Sequence, residues 1–282
     1  GEEMDGHYYG NIKERVMDFM RELDEELWRL GVPAKTEHNE AAPAQHELAA
    51  VYTTANIACD NNQLIMETMK KVALRKNLVC LLHEKPFDGV NGSGKHNNWS
   101  LNIYNGPSLL DPGKTPADNA QFLLFLCAVI WAVDEYSELL RTSVACPGND
   151  HRLGGHEAPP PIISIFLGDA LTDILEEVET GRPSQFRQGG NIEIGVTTIP
   201  WLPQDTSDRN RTSPFAFTGK KFEFRMLGSS MSIAGCNYAL NTAVAEILSR
   251  IADRLEKAED KSACVRELVR EIYREHKRVV FN

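Results

Sequence analysis

Residues 89–101 read Gly89-Val-Asn-Gly-Ser-Gly-Lys-His-Asn-Asn-Trp-Ser-Leu101. Gly89-x-x-x-x-Gly94-Lys95 comes within one residue of a phosphate-binding P-loop. Such a loop needs Ser or Thr next, to reach Mg²⁺, and then a helix whose first amides hold the phosphate. His96 stands there instead. Beyond it Trp99, Leu101 and Ile103 alternate with Asn98, Ser100 and Asn102, the period of a half-buried strand. The segment is therefore a glycine loop feeding a strand. It ends at a histidine free to bind a metal or, equally, to cap a hairpin.

A second strand is predicted over 221–227, where Phe222, Phe224 and Met226 alternate with Lys221, Glu223 and Arg225. Further strands are predicted over 78–84 (LVCLLHE) and 192–198. Helices are predicted over 12–30, 51–77, 116–144, 162–179, 234–258 and 262–277. Residues 32–48, 147–161, 181–190 and 200–219 read as polar or turn-rich connections. This mixture predicts one α+β domain, with helices flanking a mainly antiparallel sheet.

Composition narrows the classes. The 282-residue chain is 42% hydrophobic and 25% charged, as globular proteins are. No run of 18 apolar residues exists, so no membrane span is expected. A net charge of −10 disfavours nucleic-acid partners. Six scattered cysteines without a CxxC pair point to a reducing, cytoplasmic setting without a zinc site.

Four constellations carry chemistry. Glu40-Ala-Ala-Pro-Ala-Gln-His-Glu47 sets two carboxylates on either side of a proline turn, where they can converge on a hard cation. Taken alone, Glu47 better suits a helix N-terminus. The glycine loop with His96 is the second. Arg152-Leu-Gly-Gly-His-Glu157 is the third; Arg152 can hold a carboxylate through paired hydrogen bonds, or form an ordinary surface ion pair. In the fourth, Lys221-Phe-Glu223-Phe-Arg225 puts an acid between two bases on one strand face, as a metal ligand between anion binders or as ordinary charge mixing.

Together these four resemble glutamine synthetase, and most closely its type III branch. The family patterns E-V-A-P-G-Q-H-E, N-G-S-G-M-H, R-L-V-P-G-Y-E-A-P and R-I-E-V-R are similar to Glu40–Glu47, Asn91–His96, Arg152–Pro159 and Lys221–Arg225. The wording KHNNWSL, SPFAFTGKKFEFR and MLGSSMSIAG carries the type III resemblance. It implies a glutamine synthetase/guanidino kinase-like catalytic domain with a curved sheet. It also implies ATP-dependent ligation of ammonia to glutamate through γ-glutamyl phosphate, with Mg²⁺ or Mn²⁺ as cofactor.

By the same resemblance Glu40, Glu47, His96 and Glu223 are metal ligands that meet in one hollow. Asn91, Gly92 and Arg152 hold glutamate. Ser100, Lys221 and Arg211 bind ATP. Arg211 and Arg225 stabilise the transferring phosphoryl group, and Glu157 closes the site and accepts a proton from ammonium. Stacked homo-oligomeric rings are implied. Alternatives are another carboxylate–amine ligase on the same fold and a non-catalytic ring subunit.

The chain departs from the pattern at three places. Asn98 stands for a second histidine, Ala216 for an arginine, and Lys221 for an arginine. The family's N-terminal β-grasp domain, a Glu-x-Glu strand upstream of Glu40 and a C-terminal tail are not found. The expectation is therefore a catalytic-domain core with four of six metal ligands and little turnover of its own.

Overall fold

The computed structural model describes residues 6–155, 158–182 and 213–281. The predicted strand at 192–198 and the loop at 181–190, beyond its first two residues, lie outside them. Described residues fall into two compact units, one within Gly1–Lys95, Val144–Ala158 and Met226–Tyr238, the other within His96–Ser143, Pro159–Arg225 and Ala239–Asn282.

In the first unit, helix α1 (Glu14–Arg29) presents Met20, Leu23 and Leu27 on one stripe. Helix α2 (Ala55–Arg75) buries Ile65 and Val72. These side chains form a core with Val32 and Ala34, joined by Phe19, Leu48, Ala50 and Met69. The basic end of α2 meets the acidic face of α1. Lys76 Nζ lies 2.8 Å from both Asp18 and Glu22, and Arg75 2.9 Å from Glu22.

Residues 32–48, expected to be a turn-rich connection, instead contain a hairpin. Strands β1 (Ala34–Asn39) and β2 (His46–Ala50) pair antiparallel, with His38 opposite Glu47. Polar side chains on both faces of β1, Glu37 and Asn39 on one and His38 on the other, and a register shift between Ala34 and Thr36 concealed the alternation, while Ala34, Leu48 and Ala50 join the core. The turn closes through Glu40 N–H to Gln45 O at 2.8 Å, with Ala44 at φ 57°. The predicted strand at 78–84 is a correction in the other direction, since no strand is found there. Val79 and Leu81 are exposed, and an apolar run without a ladder partner is not a strand.

The second unit holds a four-stranded sheet of order β3-β6-β5-β4: β3 (Lys95–Trp99), β4 (Ile165–Phe166), β5 (Phe215–Phe217) and β6 (Phe222–Leu227). β5 and β6 are antiparallel; β4 and β5 are parallel, a departure from a purely antiparallel sheet. The predicted helix at 162–179 therefore starts as β4. Its helical part is α6 (Asp169–Thr180), after Gly168 turns the chain at φ 81°.

The apolar run at 116–144 divides into a short 3₁₀ turn, α3 (Ala120–Glu135) and α4 (Ser137–Thr142). Asn119 caps α3 by accepting from Phe122 N–H at 3.0 Å. α3 is buried on nearly all sides, and Phe122 meets Phe217 of the sheet at 5.9 Å between ring centroids. α7 (Ala234–Lys257) and α8 (Lys261–His276) complete the α+β architecture, and α8 buries Leu268, Val269 and Ile272. Among the described residues no helix is long and apolar enough to cross a membrane.

Candidate active site

In the first unit the β1–β2 hairpin brings three donors together. His38 and Glu40 lie two apart at the end of β1, and Glu47 faces His38 across the ladder. His38 Nε2 is 3.0 Å from Glu40 Oε1 and 3.0 Å from Glu47 Oε2. One donor atom from each of the three lies within 4.8 Å of the others. His7 Nδ1 donates to the Glu40 carbonyl at 3.0 Å, tying the start of the chain to this turn.

On the opposite face of β1, Glu37 has a carboxyl pushed up to about 7, by burial first and then by the charge of Asp24. Burial also raises Asp24.

Asn91 and Gly92 lie in the loop before β3, and this loop needs two of its glycines. A Cβ at Gly92 would fall 2.0 Å from the Glu84 carbonyl oxygen. One at Gly94 would fall 2.3 Å from Leu227 O and 2.6 Å from Arg152 Nη2. Arg152 sits on a short helix, α5 (Pro147–Arg152), where a loop was expected, and is only 3% exposed. Its Nε donates to Asn149 Oδ1 at 3.1 Å. Burial pulls its pKa down to about 10, against the opposing charges of Glu84 and Cys146.

Glu84 is itself 2% exposed. It accepts from Ser230 N–H at 3.3 Å and Ser230 Oγ at 3.2 Å, beside Cys146 Sγ at 3.5 Å. Burial draws the Lys95 ammonium down to about 8, against the charges of Cys236 and Glu84. Its Nζ contacts Met66 Sδ at 3.1 Å and the Met231 carbonyl.

In the second unit β3 and β6 set their polar faces side by side. His96 Nδ1 is 3.5 Å from Glu223 Oε1. Arg225 grips Glu223 Oε2 through Nη2 at 2.7 Å and Nε at 3.2 Å. Burial works against the Glu223 charge, but His96 and Arg225 outweigh it and hold the carboxyl well below the usual carboxylate range. Lys221 Nζ donates to Asn98 Oδ1 at 2.7 Å and Thr218 Oγ1 at 3.0 Å. Ser100 Oγ donates to the Lys220 carbonyl at 2.8 Å.

The four expected metal ligands thus form two pairs, Glu40 with Glu47 in one unit and His96 with Glu223 in the other. Glu157 and Arg211, with the neighbouring cations at 208–212, lie outside the described residues.

A family model described as glutamine synthetase, catalytic domain, matches residues 2–160. The chain belongs to that family. A glutamine synthetase from Butyrivibrio fibrisolvens is 53% identical over 293 residues, covering 100% of this chain and 40% of that protein. A type-3 glutamine synthetase from Dictyostelium discoideum is 48% identical, covering 100% of this chain and 39% of its own length, in keeping with the type III resemblance.

Solved structures of the same fold include the cryo-EM structure of Plasmodium falciparum glutamine synthetase. It has a TM-score of 0.61 at 15% identity, covering 87% of this chain and 40% of that one. A ligand-free structure of GmaS gives 0.59 at 14%, covering 94% and 61%. The chain therefore spans about 40% of the length of the first curated relatives it matches.

Against the glutamine synthetase pattern, two residues escaped sequence reasoning. His38 was detectable as the residue two before Glu40, once 34–39 is read as a strand. Glu84 was detectable as a lone acid at the end of an apolar run. Ala216, at an arginine position of the family, is fully buried in β5 between its neighbours β4 and β6, where a guanidinium has no room.

Proposed function

We infer that the protein to which this chain belongs ligates ammonia to glutamate with ATP, giving glutamine, ADP and phosphate. The observation that supports it is the convergence of His38, Glu40 and Glu47 within 4.8 Å. Two carboxylates and an imidazole suit a divalent cation of the Mg²⁺ or Mn²⁺ kind, and the nitrogen donor favours Mn²⁺. His96 and Glu223 offer a second such pair, 3.5 Å apart. Held there, a divalent metal would neutralise charge on the triphosphate and the substrate carboxylate.

The chain's own residues do the rest. Arg152, Asn91 and Gly92 hold the amino acid, and Lys221, Ser100 and Arg211 take the nucleotide. A γ-carboxylate oxygen attacks the γ-phosphorus, and the bond to the ADP oxygen breaks. Arg225 and Arg211 balance the charge that spreads over the transferring phosphoryl oxygens. Ammonium gives a proton to Glu157; the ammonia so formed attacks the acyl carbon of the γ-glutamyl phosphate, phosphate leaves, and the nitrogen sheds one further proton to solvent to give the amide. Electrostatic preorganisation of this kind needs the cations in place before reaction. The hydrogen bonds from Arg225 to Glu223, at 2.7 and 3.2 Å, support such an arrangement.

A cytoplasmic location and an assembly of stacked homo-oligomeric rings belong to the same reading. The test is ADP and glutamine formation by the intact protein with Mg²⁺ or Mn²⁺, omitting ATP, glutamate or ammonia in turn. Product formation only when all three are present supports the ligase. ADP release with a different acid or amine points to another carboxylate–amine ligase. Nucleotide binding without turnover points to a non-catalytic ring subunit.

A further inference from the structure

One side chain on the β3–β6 face has no role in the reading above, yet it touches a residue that does. His96 and Asn98 share the exposed face of β3, with exposed Ser100 just beyond its end, while Asn97 and Trp99 are buried on the other. Trp99 Nε1 donates to Asn241 Oδ1 at 2.7 Å and anchors that buried face to α7. The pairs His96–Glu223 and Asn98–Lys221 step in opposite directions along the two strands, as in an antiparallel ladder. Asn98 therefore sits one pair along from His96 and Glu223, on the same face.

Lysine is a compact charge on a flexible stem, and it loses considerable rotamer freedom when fixed. Here Asn98 Oδ1 at 2.7 Å and Thr218 Oγ1 at 3.0 Å both accept from Lys221 Nζ. Both acceptors are neutral. Each orients the ammonium without itself contributing a negative charge. Asn98 and Lys221 are also two of the three positions where the chain departs from the motifs it resembles, and they contact each other. A carboxamide oxygen suits an ammonium donor, whereas a histidine N–H facing a cation does not.

We propose that Asn98 is a positioning residue that holds the Lys221 ammonium for a nucleotide phosphate, beside the His96–Glu223 pair. The proposal rests on the nucleotide role given to Lys221 above. Its test uses the intact protein and two readouts, calorimetric Mg·ATP binding and steady-state kinetics, with thermal midpoints checking the fold of each variant.

Asn98→Ala weakens Mg·ATP binding about tenfold, the low end of what a hydrogen bond to a charged group contributes. The KM for glutamate and kcat stay within about twofold. In a Lys221→Ala background the same change has no further effect. Asn98→Asp keeps the shape and the acceptor but adds a charge, and it also weakens Mg·ATP binding; a merely structural asparagine tolerates that isosteric change.

Unchanged affinity in Asn98→Ala, additive losses in the double variant, or a parallel rise in the KM for glutamate would overturn the proposal. If Mg·ATP binding depends on both residues but no glutamine forms, the ligase reading falls and the positioning role stands. If the wild-type protein binds no Mg·ATP, both fall.

Discussion

His38 Nε2 lies at 3.0 Å from each of two carboxylates, and this single contact set decides what the hairpin can do. A ring nitrogen so placed either bridges the acids or joins them around a cation. In both cases its loss disperses the cluster. His38→Ala is expected to weaken Mn²⁺ binding by about tenfold or more, read by calorimetry, because groups that orient or complete a metal site carry that much affinity. Gly92→Ala tests the glycine loop ahead of β3. The added methyl would meet the Glu84 backbone carbonyl at 2.0 Å, which no side-chain rotation relieves. The expected cost is about 1–3 kcal/mol of stability, the range for overpacking, measured by denaturant unfolding. At this scale much of the chemistry could be read directly. Residue type and spacing offered Glu40, Glu47, His96 and Glu223 as candidates and the resemblance to the family motifs selected them; Glu40 and Glu47 share one cluster, and His96 lies beside Glu223. Arg152 was foreseen as a loop residue, but helix α5 and burial set its actual surroundings.

Strand β1 separates two kinds of carboxylate, with Glu40 on the cluster face and Glu37 on the face towards Asp24. Burial and Asp24 raise the folded-state pKa of Glu37 to about 7, above its ordinary value of 4.5. A raised carboxyl pKa means that the folded state holds its proton more tightly than the unfolded state does. Its contribution is full below about pH 4.5 and is lost as pH rises through about 7. Glu37→Gln should therefore match the wild type at pH 4 and have a higher thermal midpoint at pH 8. A difference of the opposite sign at pH 8 would refute the placement of Glu37. Helix α3 depends on its cap. Asn119→Ala removes the acceptor for Phe122 N–H and should cost about 1–2 kcal/mol in urea unfolding. Long helices were legible because their apolar period persists over many residues. The hairpin at 34–50 and the two-residue strand β4 were not, because a short strand is defined by its ladder partner rather than by its own side chains.

For the molecule as a whole, divalent metal should act as a ligand of the folded state. With Mn²⁺ at about 100 times its dissociation constant, stability should rise by about 2.7 kcal/mol, and EDTA should reverse the gain. Glu40→Gln with Glu47→Gln should abolish the part of the thermal shift that the hairpin site provides. By itself the sequence determined the α+β class, the long helices, the glycine loop ahead of a strand and the residue types able to hold a cation. These follow from local periodicity and from the chemistry of each side chain, which travel with the residue wherever it folds. Tertiary structure alone decided that 78–84 lacks a strand, that β4 runs parallel to β5, that His38 joins Glu40 and Glu47, and that Asn98 meets Lys221. Each of these depends on which backbone lies alongside which, and a ladder between residues more than a hundred positions apart, as Asn98 and Lys221 are, leaves no periodic trace in either segment alone.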